Sequence, residues 1–529
     1  MEKNKKSLLI SLLIILVAFL IGPTYTSSPF LGNINLIDEG QFGAWVNHMS
    51  HGKYLFKDIY LTYGPLYVYP LYLVFKIFTP SAFIIRSYLA LGSTLGIVVC
   101  YLILQRLNLS KVITFIIITL LIILPIMHFR QAMGLIVIYC LIRAVEKASK
   151  LWFFFGGSFI AFSFLVSQDI GIFTFLVFIF LILYKLIFNK NLRILIFNLI
   201  FSVLGFSLVF VPFILWAGYE KWLSEYFQVT LNVITSFSGI NVPNGQNFPS
   251  PLCFGCKSFI LEIKYIFSKD ALLYWEILFY ISALMYFIVR LVLKLNNKMD
   301  GKLFIVWLFG FFLYMILLSR SGIGHFYYTL SPMLILLGYF ADRLYNKLTG
   351  AKNLTEKATS MLLLSASAFF LLRLVLINRP QIKEIIKIPR AALAVKNNPD
   401  RVGSVLISSS QKKYIKDIQD YILKNTTKKD YVFFLNDEPM MYFFLDRVNP
   451  TRYDLPFLAN TLEKRLELLS DLNNKKPKYI IEDRKVWAVD GINNRTRLPE
   501  VLKYIGQKYK QCDLIDNQVV VYCLIYNNQ

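Results

Sequence analysis

The chain has 529 residues, of which 56% are hydrophobic, 16% aromatic and only 17% charged, with a mean hydropathy of +0.54. Soluble globular domains carry about a quarter of their residues as charges, so this composition excludes a disordered chain, a collagen and an ordinary soluble enzyme. Lys and Arg number 56 against 32 Asp and Glu, a net charge of +24. Such an excess marks either a nucleic-acid binder or a membrane protein with basic cytoplasmic loops, and the positions of the charges decide between them.

A membrane helix needs about 20 mostly apolar residues. Eleven stretches qualify within loose boundaries: 7–22, 83–105, 111–127, 131–146, 151–167, 170–188, 193–217, 271–293, 303–319, 326–345 and 358–378. The first follows Lys3, Lys5 and Lys6 in the manner of a signal peptide, but no small-x-small cleavage site comes after it, so it reads as a retained helix. With the N-terminus in the cytoplasm, the inner loops hold 19 basic residues, among them Arg106, Arg143, Lys190, Lys294 and Arg343. Against these stand five acidic ones: Glu2, Glu146, Asp300, Asp342 and Glu356. Every inner loop is basic, which is the positive-inside pattern. The charge excess therefore reports topology and excludes nucleic acid as the partner, and eleven spans place the C-terminal region outside the cytoplasm.

The first outer loop runs from Pro23 to Pro80. Phe42, Trp45, Val46 and Met49 recur at helical spacing, so Gln41–Met49, like Leu66–Phe78 after Gly64-Pro65, is expected along the membrane interface. Asp38-Glu39-Gly40 stands just before the first piece, and Lys53 and Lys57 follow. Other polar residues fall at outer junctions: His128 and Arg130 between the third and fourth spans, Gln168-Asp169 between the fifth and sixth, Arg320 and His325 between the ninth and tenth. A solvated loop, a helix cap at Asp38 or Asp169, and headgroup contacts for the arginines would each explain one of these. Together on one face, beside apolar runs where ionisable groups are costly, they point to a site. A carboxylate can take a proton from a hydroxyl, and Arg and His can hold a phosphate through charge-assisted hydrogen bonds, so the chemistry suggested is transfer from a lipid-linked phosphate.

Asn241–Pro251, rich in Asn, Pro and Gly, has the composition of a mobile lid. Cys253 and Cys256 form a lone CxxC without a second pair, which is weak as a zinc site. Either they or Cys512 and Cys523 can be oxidised if they lie outside the cytoplasm. Residues 380–529 hold 25 Lys/Arg and 18 Asp/Glu with no membrane-length apolar run. Strand-like Val402–Ser408, Asp430–Leu435, Tyr479–Glu482 and Val519–Tyr526 alternate with helical Gln411–Lys424, Glu463–Leu472 and Pro499–Tyr509. The predicted organisation is a transmembrane domain, 1–379, with its long loop 23–80, and an extracytoplasmic α/β domain, 380–529.

At Asp38-Glu39-Gly40 the sequence resembles the GT-C glycosyltransferases, polytopic enzymes that use lipid-phosphate sugars, such as protein O-mannosyltransferases and the lipid A aminoarabinose transferase. The following HGKYLFKDIYLTYGPLYVYPLYLVFKIF, with Gly52, Tyr54, Lys57-Asp58 and Gly64-Pro65-Leu66, is similar to bacterial members, as are SRSGIGHFYYTLSPMLIL and FFLDRVNPTRYD. The resemblance implies a GT-C-like bundle of about 11 transmembrane helices, with Asp38 as the general base on the acceptor hydroxyl and Glu39 as its acidic neighbour. A second outer-loop carboxylate assists in some relatives, and Asp169 is the candidate here. Some relatives carry a Lys-Pro-Pro-Leu segment whose lysine approaches the lipid phosphate. This chain has Tyr63-Gly64-Pro65-Leu66 instead, so Arg130, Arg320, His325, Lys53 and Lys57 are the candidate phosphate ligands.

The function expected is transfer of a sugar from a polyprenyl-monophosphate carrier to a hydroxyl acceptor (glycan, lipid or protein) at the outer face of the cell membrane, with inversion. No cofactor is required, although a divalent metal at Asp38 and Glu39 is compatible with the motif. A flippase of lipid-linked sugars would show internal repeats and mid-membrane polar residues, and a non-catalytic assembly protein would tolerate loss of Asp38.

Overall fold

The structure is a computed structural model that describes residues 2–21, 28–147, 149–189, 192–236, 248–249, 258–266, 268, 270–295, 297–319, 321–350, 353–393, 400–485 and 492–525. In chain order the helices are α1 (Glu2–Ile21), α2 (Asp38–Ser50), α3 (Tyr69–Ile77), α4 (Ala82–Arg106), α5 (Lys111–Ile123), α6 (Phe129–Lys147), α7 (Lys150–Val166), α8 (Gln168–Asn189), α9 (Leu192–Tyr219), α10 (Leu223–Ser236), α11 (Phe259–Ile266), α12 (Leu272–Val292), α13 (Lys298–Ser319), α14 (Ile323–Gly350) and α15 (Leu354–Ile377). Then come α16 (Arg379–Ile385), α17 (Ile388–Leu393), α18 (Ser409–Asn425), α19 (Met440–Leu445), α20 (Leu462–Lys475), α21 (Asn494–Arg497) and α22 (Pro499–Lys508). The strands are β1 (Val432–Phe434), β2 (Tyr479–Asp483), β3 (Tyr509–Ile515) and β4 (Val519–Leu524).

Each of the eleven apolar stretches coincides with a helix. Among the described residues, six helices are long and apolar enough to cross a membrane: α4, α8, α9, α12, α13 and α15. Backbone contacts divide the chain into two compact units. The helical unit contains 1–28, 89–215 and 247–390, and the loop–sheet unit contains 29–88, 216–246 and 391–529.

Helices of the helical unit approach closely where side chains are small. Gly157 on α7 faces the backbone of Ser202, and Gly205 on α9 faces that of Phe154, where any Cβ would collide. The approach lets Ser158 Oγ donate to Gly205 O at 3.1 Å and Ser202 Oγ donate to Phe153 O at 3.1 Å, the small-residue packing expected of membrane helices. At the end read as cytoplasmic, acidic residues tie helices together. Glu146 accepts from Arg143 at 3.0 Å and Lys302 at 2.7 Å, Arg290 pairs with Asp300 at 2.8 Å, and Asp342 accepts from Ser110 N at 3.1 Å. Those carboxylates occupy part of the basic excess of the loops.

In the loop–sheet unit the sheet order is β1-β2-β4-β3. β1 and β2 are parallel, with Phe433 opposite Ile480, and α20 lies on the crossover that parallel strands require. β2 pairs antiparallel with β4, and β4 with β3. Asp516 and Asn517, both at positive φ (48° and 53°), turn the β3–β4 hairpin, a conformation that Asp and Asn tolerate. Cys512 and Cys523 form a disulfide across that hairpin, while Cys100 and Cys140 are free and buried. Cys253 and Cys256 lie outside the described residues.

Three local expectations are corrected. Val402–Ser408 is no sheet strand; only Leu406 pairs, in an isolated bridge to Leu31. The chain instead forms an unanticipated strand, β3, directly after α22. Gln41–Met49 is helical as expected, yet every residue from Glu39 to Met49 is buried, because Tyr63, Tyr67 and Tyr88 pack on Phe42 and Trp45 while residues 401–454 cover another face. Gly40 makes room: a Cβ there would lie 2.6 Å from Met440 N. Asn47 Nδ2 donates to Arg447 O at 2.8 Å, Arg401 Nη1 donates to Asn47 Oδ1 at 2.6 Å, and His48 Nε2 meets Asp454 Oδ1 at 2.8 Å. Loop residues 30–36 are clipped by backbone bonds to Leu406 and Met440 and by the Gln411 amide at Ile34. Leu66–Phe78 keeps an amphipathic character, with Leu71 and Phe75 buried while Leu73, Ile77 and Phe78 are exposed. Within the same unit Phe56 stacks on Trp222, which joins the 216–246 segment to the loop.

Two buried carboxyls beyond β1 make this unit sensitive to pH. Burial pushes Asp437 up to about 7, against hydrogen bonds from Phe457 N–H and Asn494. Burial, with the nearby Asp483 and Asp437 charges, pushes Glu438 up to about 8 although the Tyr414 hydroxyl donates to it at 2.9 Å. Unfolded, these groups ionise near pH 4, so the folded chain holds more protons between about pH 4 and 8 and its stability falls as pH rises through that window. Denaturant unfolding of the solubilised full-length protein should show this decline, flattened in Asp437→Asn/Glu438→Gln; an unchanged pH dependence in the double variant would refute the assignment.

Candidate functional site

Asp38 is the first residue of α2 and its carboxylate is exposed, whereas Glu39 is buried. The turn before them is organised by Asn35. Its Oδ1 accepts from Ile37 N at 3.0 Å and from Asp38 N at 2.9 Å, and its Nδ2 donates to Asp38 Oδ2 at 2.8 Å. Asn35, not Asp38, thus satisfies N–H groups at this helix start, and two acidic residues in the first turn suit the positive end of the helix dipole.

Glu39 faces Arg86 on α4. Arg86 Nε donates to Oε2 at 2.8 Å and Nη2 to Oε1 at 3.0 Å, with both side chains no more than 1% exposed. The remaining guanidinium donors go to main-chain carbonyls of the loop, Nη1 to Gly32 at 2.9 Å and Nη2 to Asn33 at 2.5 Å. One guanidinium therefore neutralises Glu39 and holds the loop that leads to Asp38, a fork that only Arg offers. Both Glu39 oxygens are engaged by Arg86, which leaves the Asp38-Glu39 pair poorly suited to sharing a metal ion. Among the described residues no group of three His, Cys, Asp or Glu side chains could hold one.

The helical unit carries a second polar cluster. Arg130 Nη1 lies 3.3 Å from Asp169 Oδ2 and donates to Ser167 Oγ at 3.2 Å, and its guanidinium sits 4.8 Å from the Tyr328 ring centre. Asp169 Oδ1 also accepts from Ser167 Oγ and from Ile170 N. Two residues assigned separate roles from sequence, Asp169 and Arg130, are thus partners of one another, each partly buried. His325 is half-buried in the first turn of α14, Lys53 is half-buried and Lys57 exposed. Arg320 lies outside the described residues, as does most of the Asn241–Pro251 segment.

Sequence reasoning missed Arg86 and Asn35. Arg86 had a signal: a lone Arg near the start of an apolar helix must find a carboxylate or carbonyls. Asn35 had one too, as an Asx turn three residues before an acidic pair.

No family model matches the sequence, and no curated protein matches it. Solved structures do. The archaeal oligosaccharyltransferase AglB from Archaeoglobus fulgidus, in complex with an inhibitory peptide and a dolichol-phosphate, aligns with a TM-score of 0.53 at 12% identity over 98% of this chain and 75% of that one. A second Archaeoglobus fulgidus oligosaccharyltransferase structure, tethered to an acceptor peptide, gives 0.50 at 12% identity over 98% and 74%. ArnT from Cupriavidus metallidurans, bound to undecaprenyl phosphate, gives 0.49 at 13% identity over 99% of each chain. The chain therefore shares its fold with these oligosaccharyltransferase structures, which agrees with the resemblance read from the sequence.

Removing Arg86 strands a buried carboxylate, a change that costs about 3–5 kcal/mol. Denaturant unfolding of solubilised Arg86→Met should show a loss of that order. Arg86→Lys should recover only part of it, since an ammonium cannot bridge both Glu39 oxygens and the loop carbonyls. A loss within about 0.5 kcal/mol, the range of an ordinary surface substitution, would show that the pair does not hold the loop.

Proposed function

We propose that this multi-pass membrane protein is an inverting glycosyltransferase that moves a sugar from a polyprenyl-monophosphate carrier to a hydroxyl acceptor, with Asp38 as general base. The observation that carries the reading is the exposed carboxylate of Asp38 on the GT-C fold, held at a helix start by Asn35 and followed by a buried neighbour locked to Arg86. The archaeal oligosaccharyltransferase that shares the fold was solved in complex with a dolichol-phosphate, which supports a polyprenyl-phosphate donor here.

In the reaction the Asp38 carboxylate takes the proton of the acceptor hydroxyl as that oxygen attacks the anomeric carbon. The bond from that carbon to the phosphate oxygen breaks on the opposite face, inverting the centre, and polyprenyl phosphate leaves. Cationic donors stabilise the charge gathering on the phosphate. Arg130, Arg320 and His325 of the helical unit and Lys53 and Lys57 of the loop–sheet unit are the residues to test for that role. Asp169 orients Arg130 through their ion pair, and Glu39 acts on the position of Asp38 through the loop. No metal is needed for these steps.

Eleven spans with the N-terminus in the cytoplasm, as read from the sequence, would put the reaction on the extracytoplasmic side. The Cys512–Cys523 disulfide supports this, because disulfides persist in oxidising compartments and are rare in the cytosol.

The test uses purified full-length protein in lipid with a panel of radiolabelled polyprenyl-phosphate sugars. Release or transfer of sugar should fall by about 10²–10⁴-fold in Asp38→Asn, the scale of a lost general base, with carrier binding retained. Turnover near wild type in that variant would sink the assignment of the base. A folded protein that binds no donor of the panel would sink the donor class.

A further inference from the structure

We propose that the segment Arg379–Leu393, which follows the last apolar helix, is a docking surface for anionic membrane lipid. The inference is independent of the glycosyl-transfer reading.

Helix α15 is apolar enough to cross a membrane, and only 17% of its most apolar stretch is buried within the protein. Its end is fixed by Asn378, which is buried and whose Nδ2 donates to Tyr327 Oη at 2.7 Å and to Leu374 O at 2.8 Å. α16 begins at the next residue. Ile386 is nine residues past the end of α15, so a helical path keeps it within roughly 14 Å of the apolar span, and chain connectivity alone holds this segment against the headgroup layer.

The side chains match that location. Ile386 is 80% exposed and Leu393 is 89% exposed, so each presents an aliphatic side chain whose removal from water would be favourable. Between and before them stand Arg379, Lys383, Lys387 and Arg390, all exposed, against one acidic residue, Glu384, which bridges Lys387 at 2.7 Å. Ile388 and Ala391 are buried. Aliphatic side chains that enter the acyl boundary, with flanking cations that meet lipid phosphates, are the pattern of interfacial helices. Four basic residues against one acidic favour an anionic surface and oppose a second copy of the chain, which would bring the same positive charge against itself. A basic residue near an anionic membrane contributes about fivefold to partition.

The experiment is hydrogen exchange of the full-length protein, one copy per lipid nanodisc, in phosphatidylcholine alone and with a phosphatidylglycerol fraction. Amides of 379–393 should exchange about fivefold or more slowly in the anionic discs at low salt, and the difference should shrink in high salt. Lys383→Gln/Lys387→Gln/Arg390→Gln should abolish the lipid difference there while exchange in α15 and the sheet stays as in wild type. Equal exchange of the wild-type segment in the two lipids would overturn the proposal, and this comparison needs no variant. So would a lipid difference that survives the triple substitution, or protection that appears only with two copies per disc.

Discussion

Two charges taken out of water, Glu39 and Arg86, set the terms for the rest of the loop–sheet unit. An ion pair buried this completely gives little net stability compared with apolar residues of the same shape, yet it is costly to break. Its contribution is therefore to position. The Glu39 carboxylate has one arrangement in which both oxygens are satisfied, and Arg86 has one in which its remaining donors meet the carbonyls of Gly32 and Asn33. Together they fix the chain entering α2, and Asn35 in that chain then orients the Asp38 carboxylate.

The same helix is enclosed by the C-terminal part of the chain. Residues 401–454 supply Arg401, Arg447 O and Asp454 to Asn47 and His48 in the last turns of α2, and the Met440 N–H to Leu36 O just before the helix. The loop that bears the candidate base is thus not a flexible connection with a separate domain beside it. Removing 380–529 takes away the partners that satisfy the loop's buried polar groups, so such a deletion reports on Asp38 as much as on the domain itself.

Legibility followed the range of the interactions. Apolar helices declare themselves by composition within one window, and the amphipathic α18, α20 and α22 by their period. The turn at Asp38 was readable as chemistry, because an acidic pair after a span is a local pattern. What escaped is what depends on distant partners. Phe42, Trp45, Val46 and Met49 gave the right period for α2, but a hydrophobic stripe looks the same whether membrane or protein covers it. β3 carries polar Lys510, Gln511 and Asp513 on an exposed edge, so it lacks the apolar run that marked β1 and β4. Val402–Ser408 carries the apolar Val405-Leu406-Ile407 run of a strand, but among the described residues only Leu406 pairs, with Leu31. The pairing of Glu39 with Arg86, and of Arg130 with Asp169, joins residues 47 and 39 positions apart, beyond what spacing alone reveals.

The way α2 is enclosed also imposes an order on biogenesis. Asn47 bonds to Arg447, 400 residues later in the chain. At a synthesis rate of roughly 5–20 residues per second, the loop would wait about 20–80 s for that partner. Over that interval Glu39 and Arg86, both already made, can pair, and Phe42 and Trp45 can pack on Tyr63, Tyr67 and Tyr88, but Asn47, His48 and the Gly40–Gly43 face lack the partners that later bury them. The side of α2 left open to the end is thus its small and polar one, which water can solvate until residues 401–454 arrive to close it.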